Sequence, residues 1–310
     1  MLQAYLTNHR NLLAVLCALV SGVWFVGGKG FSHIGALAAC GAAAYLVAEL
    51  DNAFALVRVS QRTVCTLMFF LLAAVPSYHV LCPAHLSILC SVLVLFPFFA
   101  AYQQPRLTAM PCLMGLALGL CSLVVAPVLL LILPLWGGMA MMRSLSLRGW
   151  VASVLGVLTP VVWWVALQPF LPEAWGVPFP TWRGWLALWP GWVWEAWTGD
   201  AVSGFYLRGA GLTLLMWLIG LVEVLRNTSG DRTRTRFQHY AVQLLSTCAL
   251  VLLILRPCDA ALLLPWVLTG AAISGGHFLT LSTGRFSNIL AIVLCVLVVV
   301  ACVTSFLSMP

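Results

Sequence analysis

The chain is 310 residues long, with 63% apolar residues and 7% charged ones, against about 25% charged in a soluble domain. Its 15 Lys and Arg and 8 Asp and Glu are too few to solvate the surface of a 33.6 kDa protein. These numbers exclude a soluble enzyme, a disordered tail and a nucleic-acid-binding module, and they point to a polytopic, all-α membrane protein.

A membrane helix takes about 20 mostly apolar residues, so the runs between charges mark the spans. In chain order they are 11–27, 32–48, 63–79, 86–101, 107–124, 127–142, 149–168, 206–226, 238–255, 260–282 and 287–308, about eleven in all. Arg10 before the first run resembles the start of a signal peptide. Val20-Ser21-Gly22 is a poor small-x-small cleavage site, so the run reads as an uncleaved anchor. The pair 107–124 and 127–142 is short, and its turn at Ala126-Pro127 has no polar residue. Two tilted spans and a re-entrant hairpin buried in protein both remain open there. In 206–226 the charges Arg208 and Glu223 stand near the ends, where long side chains snorkel.

Positive charge in short loops fixes orientation. With the N-terminus inside, the inner loops hold Arg10, Arg58, Arg62, Arg106, Arg143, Arg148, Arg226, Arg232, Arg234, Arg236 and Arg285. The outside receives only Lys29, Arg183, Arg208 and Arg256. Between the second and third spans, Asn52 to Arg62 reads as a short amphipathic helix on the inner surface.

No soluble domain fits, so residues 1–310 form a single integral membrane domain. The longest piece outside the spans, 169–205, carries Trp175, Trp182, Trp185, Trp189, Trp192, Trp194 and Trp197, half of the 14 tryptophans. Trp favours the headgroup region. The segment therefore reads as an outer-face interfacial piece, with Trp182, Trp185, Trp189, Trp192, Trp194 and Trp197 as its membrane contacts.

Nine of the 11 cysteines fall within spans, where Cys acts as a small hydrophobe. Cys82 and Cys258 fall in outer loops and read as two free interfacial thiols, with a disulfide as the alternative. The six histidines show no metal-ligand spacing, so no metal site is expected. No ionisable residue sits at the middle of a span, which argues against an ion-coupled pump. Membrane lipids are the expected partners, and nucleic acid is not.

The outer acids are Glu173, Glu195, Asp200 and Asp259. Group transfer at a membrane face needs a carboxylate as base or metal ligand. Asp259 is the first candidate, because Arg256-Pro257-Cys258-Asp259 is a short turn between two spans. Asp200 and Glu173 follow. Arg208 and Arg256 are candidates for a lipid phosphate. In the bland alternatives the turn is charged because it meets water, and Arg208 is a snorkelling anchor.

Met114-Gly-Leu-Ala-Leu-Gly-Leu120, Val125-Ala-Pro127, the basic stretch Arg143 to Trp150, Gly156 and Pro160 together resemble the middle of membrane glycosyltransferases of the C-type superfold. The whole layout, with Asp51-Asn52 after the second span and Arg148-Gly-Trp150 before a Gly…Pro span, is similar to an uncharacterised polytopic inner-membrane family of Bacteroidota. The resemblance implies a cell-envelope role in the bacterial inner membrane, with a polyprenyl-linked substrate and a divalent metal only if the chain is a transferase. It carries over no catalytic residue. C-type enzymes usually place acids in a long first outer loop, and the corresponding Gly27 to Ser32 is short and has none. The leading expectation is a protein that handles a lipid-linked envelope precursor at the outer leaflet. A carrier or flippase for a lipid or uncharged solute and a non-enzymatic scaffold subunit are the alternatives.

Overall fold

The computed structural model describes residues 17–18, 20–22, 24, 31–56, 61–167, 204–227, 232–281 and 285–307. Among them the chain is all-helical. The helices are α1 (Phe31–Phe54), α2 (Gln61–Ala73), α3 (Ala84–Leu93), α4 (Leu95–Ala100), α5 (Ala109–Ser122), α6 (Ile132–Met141), α7 (Leu147–Leu167), α8 (Gly204–Asn227), α9 (Thr233–Leu255), α10 (Ala260–Leu281) and α11 (Arg285–Leu307). Short 3₁₀ turns occupy Pro76–Tyr78, Ala126–Leu131 and Pro257–Asp259.

Among the described residues, five helical stretches are long and apolar enough to cross a membrane: Phe31–Phe54, Leu147–Leu167, Gly209–Arg226, Thr233–Leu255 and Ala260–Thr280. Shorter apolar helices cover Thr63–Ala73, Ala84–Ala100, Ala109–Ser122, Ala126–Met141 and Asn288–Thr304. At about 1.5 Å per residue, α2 alone reaches about 20 Å, short of a hydrocarbon core of about 30 Å. Its remaining length is made up by a buried turn rather than by helix.

The helix breaks follow from proline chemistry. Pro97 has no N–H and its ring crowds the carbonyl four residues back, and α3 gives way to α4 at Val94. Pro111 and Pro134 sit in the first turns of α5 and α6, where a missing N–H costs nothing. The expected surface helix over 52–62 does not form in its described part. Residues 51–54 are the last turn of α1, and Ala55 ends it at φ 49°.

α10 is the centre of the described bundle, packed by α2, α3, α8 and α9. Of its apolar window, 94% is buried. Its small residues allow this. A Cβ on Gly276 would meet Val64 at 2.6 Å, and one on Gly270 would meet Ser246 at 2.5 Å. Gly220 on α8 lies directly against Ser274. Helices in lipid associate by such close packing, because apolar burial gives them no advantage over lipid tails.

α5 and α7 pack by the same device. Gly115 abuts the Ser153 carbonyl, Gly156 abuts the Cys112 carbonyl, and a Cβ on Gly119 would meet Val157 O at 2.6 Å. The Gly-x-x-x-Gly texture of 115–119 is thus a packing face for α7.

α10 contains Pro265, which cannot donate to the Ala261 carbonyl. Tyr78 Oη donates to Ala261 O at 2.8 Å, and Ser87 Oγ to Leu262 O at 2.6 Å. Trp266 Nε1 in turn donates to Ser87 Oγ at 3.0 Å. Thr269 Oγ1 donates to Pro265 O, and Ser91 and Thr269 share a bond of 2.8 Å. Side chains from α3 and the 3₁₀ turn therefore complete the broken ladder of α10, as a proline inside lipid requires.

Two predictions follow from this packing. Gly156→Val should cost at least about 1–3 kcal/mol by overpacking, seen as a lower thermal midpoint in detergent. Gly41→Ala should leave the midpoint unchanged, because a Cβ there meets nothing within 4 Å. Tyr78→Phe should cost about 1–3 kcal/mol by stranding the Ala261 carbonyl. The same substitution should cost less in a Pro265→Ala background, where residue 265 regains an N–H for that carbonyl. A thermal double-mutant cycle reads the difference.

Candidate functional site

The bundle has two chemically distinct ends. At one, Gln103 N donates to Met142 O at 3.2 Å, Ser146 Oγ to Pro105 O at 2.8 Å, and His239 Nε2 to Leu56 O at 3.1 Å. The Arg234 guanidinium lies over the rings of Phe54 and Tyr102, at 5.7 and 5.6 Å. Arg106, Arg143, Arg148 and Arg232 are exposed at this end.

The opposite end is organised around residues 74–85. α2 stops at Ala73, and its last carbonyl would be an orphan. His79 Nε2 donates to it at 2.8 Å. His33 Nδ1 donates to His79 O at 2.9 Å, and His85 Nε2 to Tyr78 O at 3.2 Å. Since His85 Nε2 carries the proton, the neutral ring accepts at Nδ1, from Cys82 N at 3.2 Å. Three imidazoles thus brace one turn through backbone carbonyls. Trp24 packs on the His79 ring at 4.5 Å.

The candidate carboxylate lies beside this brace. α9 ends at Leu255, and Arg256 N still donates to Leu252 O at 2.9 Å. Pro257 presets the 3₁₀ turn, Asp259 N donates to Arg256 O at 3.1 Å, and α10 starts at once. Arg256 Nε stands 3.5 Å from Asp259 Oδ2, with the two side chains 27% and 25% exposed. Tyr78, bonded to Ala261, ties this turn to the histidine-braced one. Asp259 also stands at the N-terminus of α10, where the helix dipole favours a negative charge. Burial nonetheless pushes its carboxyl above the ordinary carboxylate range, and the Arg256 guanidinium pulls it only partly back.

Arg208 lies early in α8, and its neighbour Gly209 packs on Val75, where a Cβ would meet Val75 Cγ2 at 2.6 Å. The start of α8 therefore joins the same end as Arg256 and Asp259. The Arg208 side chain, Asp200, Glu173 and the tryptophans Trp182, Trp185, Trp189, Trp192, Trp194 and Trp197 lie outside the described residues. So does the side chain of Cys258, and with it the alternative disulfide to Cys82.

Sequence reasoning passed over five polar groups. His79 and His85, which flank the turn between the third and fourth expected spans, are buried. Asp51, just beyond the expected second span, is buried on α1 at 1% exposure. His239 and His277 meet edge to face, centroids 4.8 Å apart, inside the arginine-bearing end. Among the described residues no three His, Cys, Asp or Glu side chains converge on a metal position. Comparison with protein-family models, with curated proteins and with solved structures found no match to this chain.

The arrangement can present one guanidinium and one carboxyl together on a rigid turn, with the carboxyl able to take up a proton above the usual range. The sign of its pH dependence follows. A raised carboxyl favours the fold while protonated and loses that contribution as pH rises through its folded value. Arg256→Gln should raise the Asp259 titration further, since it removes the guanidinium that opposes the effect of burial. Carbon-13 NMR of labelled aspartate in detergent, with Asp259→Asn as the assignment control, measures it.

Proposed function

We propose that the chain is a multi-pass bacterial inner-membrane protein that handles a lipid-linked cell-envelope precursor at the outer leaflet, on a glycosyltransferase-like scaffold. About eleven spans with the N-terminus inside place the arginine-bearing end in the cytoplasm and the 256–259 turn outside. The observation that carries this reading is the Arg256–Asp259 pair at 3.5 Å on a turn fixed by Tyr78. Precise placement is what catalysis requires of a base. Arg256 would meet the phosphate of a polyprenyl carrier, with Arg208 a second guanidinium at that end. Asp259 would take the acceptor proton or hold a divalent metal, with Asp200 and Glu173 as further carboxylates. The Trp-rich 169–205 would lie along the outer interface.

A non-enzymatic scaffold subunit is the competing reading. It is favoured by the close contacts of α10, which fill the centre of the described bundle with small residues.

Asp259→Asn should insert at normal levels and lose the envelope phenotype of the intact gene, because losing a base costs roughly 10²–10⁴ in rate. Full complementation by Asp259→Asn, by Asp200→Asn and by Glu173→Gln would leave the scaffold reading standing. Orientation is read separately. An impermeant thiol reagent on intact cells should label Pro83→Cys above the parent level and spare Gln104→Cys, both of which are exposed positions.

A further inference from the structure

The start of α9 is uncapped. The N–H groups of Thr233, Arg234 and Thr235 come before the first intrahelical bond, which runs from Arg236 N to Arg232 O at 3.0 Å. Arg232, the residue before the helix, gives them no side-chain bond. A row of N–H groups at the positive end of a helix dipole suits an anion.

Two side chains of α9 point to the same ligand. Arg234 and Gln238 are four residues apart, so they share one face of the helix. The Arg234 guanidinium lies over Phe54, at the end of α1, and over Tyr102, just past α4, while the side chain stays exposed. The two rings fix its plane and leave its N–H fork to act as a donor. Gln238 is 0% exposed, and neither its Nε2 nor its Oε1 has a partner among the described residues. A long side chain in a helix lies back over the turn before its own Cα, so this amide is directed from the interior toward Arg234 and the start of α9. An unpaired amide in a protein interior is strongly disfavoured, and Nε2 is placed to donate to a group held under the guanidinium.

The charge around this point is positive. The acids of this end, Glu49, Asp51 and Glu223, are half-buried or buried, whereas Arg106, Arg143 and Arg232 are exposed. The bond from Gln103 N to Met142 O brings the loops of Arg106 and Arg143 together beside Tyr102. Guanidinium, amide Nε2 and backbone N–H are all donors, and they approach from three sides. A tetrahedral oxyanion offers acceptors in as many directions, and arginine meets two phosphate oxygens at once.

We propose that the start of α9 binds a phosphate group, held by the N–H groups of residues 233–235, the Arg234 fork and the Gln238 amide. The site is at the end opposite the 256–259 turn, and it does not depend on the function proposed above.

Titration calorimetry of the full chain in neutral detergent, with inorganic pyrophosphate as the probe at constant ionic strength, tests it. One pyrophosphate per chain is expected. Arg234→Gln and Arg234→Lys should each weaken binding at least about tenfold, since lysine keeps the charge but loses the fork. Gln238→Leu, an apolar side chain of similar size, should weaken it at unchanged or higher thermal stability. Arg148→Gln, outside the site, should leave the affinity unchanged. Phosphatidylglycerol and glycerol phosphate, added as competitors, separate the two sources of the phosphate. Displacement by the lipid at the lower concentration assigns a headgroup, and displacement by the soluble ester assigns a free phosphate compound. A parent chain that binds no pyrophosphate would overturn the proposal, as would binding unaffected by Arg234→Gln or by Gln238→Leu. Equal weakening by Arg148→Gln and Arg234→Gln would overturn it in favour of a diffuse basic surface. Binding that appears only in Asp231→Asn would overturn it in favour of an internal cap, because Asp231 precedes α9 in the sequence.

Discussion

The structure depends on how one proline-containing helix is made acceptable to a membrane interior. Pro265 strips the α10 ladder of a donor in a helix that is buried almost along its whole length. An unmet carbonyl in that setting costs several kcal/mol. Tyr78, Ser87 and Thr269 answer it or its neighbours. Each bond also fixes a position: Tyr78 locates the 3₁₀ turn, and Ser87 locates α3. The candidate pair Arg256–Asp259 inherits its rigidity from these bonds, because it lies directly before the first turn of α10. The brace and the site are one piece of architecture.

Small residues make the second constraint. α10 is approached at Gly270, Gly275 and Gly276 by side chains of α2, α8 and α9, and α5 meets α7 through Gly115, Gly119 and Gly156. In water such helices would be held together by their apolar faces. In lipid that term vanishes, and contact distance takes its place. The glycines that suggest a transferase-like centre therefore have a mechanical role here whatever the chemistry of the chain.

Much of the helix layout was legible in the charge gaps. The uncharged run 260–282 is α10 at Ala260–Leu281, and 149–168 is α7 at Leu147–Leu167. What hydropathy could not separate was lipid from protein as an apolar surrounding. The run 63–79 looked like one span, yet helix stops at Ala73 and the rest is a buried turn held by histidines. Asp51 follows the apolar run 32–48 in sequence, and it is buried because α1 continues past it to Phe54. For the site, Arg256 and Asp259 were visible as neighbours in a short turn. Tyr78 was not, since its partner is 183 residues away. Within α10, Pro265 was the sign in the sequence that some donor had to come from elsewhere.

The central position of α10 also bears on biogenesis. Its partners α2, α3, α8 and α9 all precede it in the chain, so they enter the membrane before the element that joins them. Until residues 260–281 follow, Tyr78, Ser87 and Ser91 lack the carbonyls and hydroxyl they meet in the finished fold. Val64 and Gly220 likewise face surfaces not yet made. A chain halted before residue 260 would hold correctly inserted helices with their polar seams turned to lipid, a substrate for membrane quality control rather than a smaller working protein. Folding is decided late in synthesis, when the keystone helix arrives.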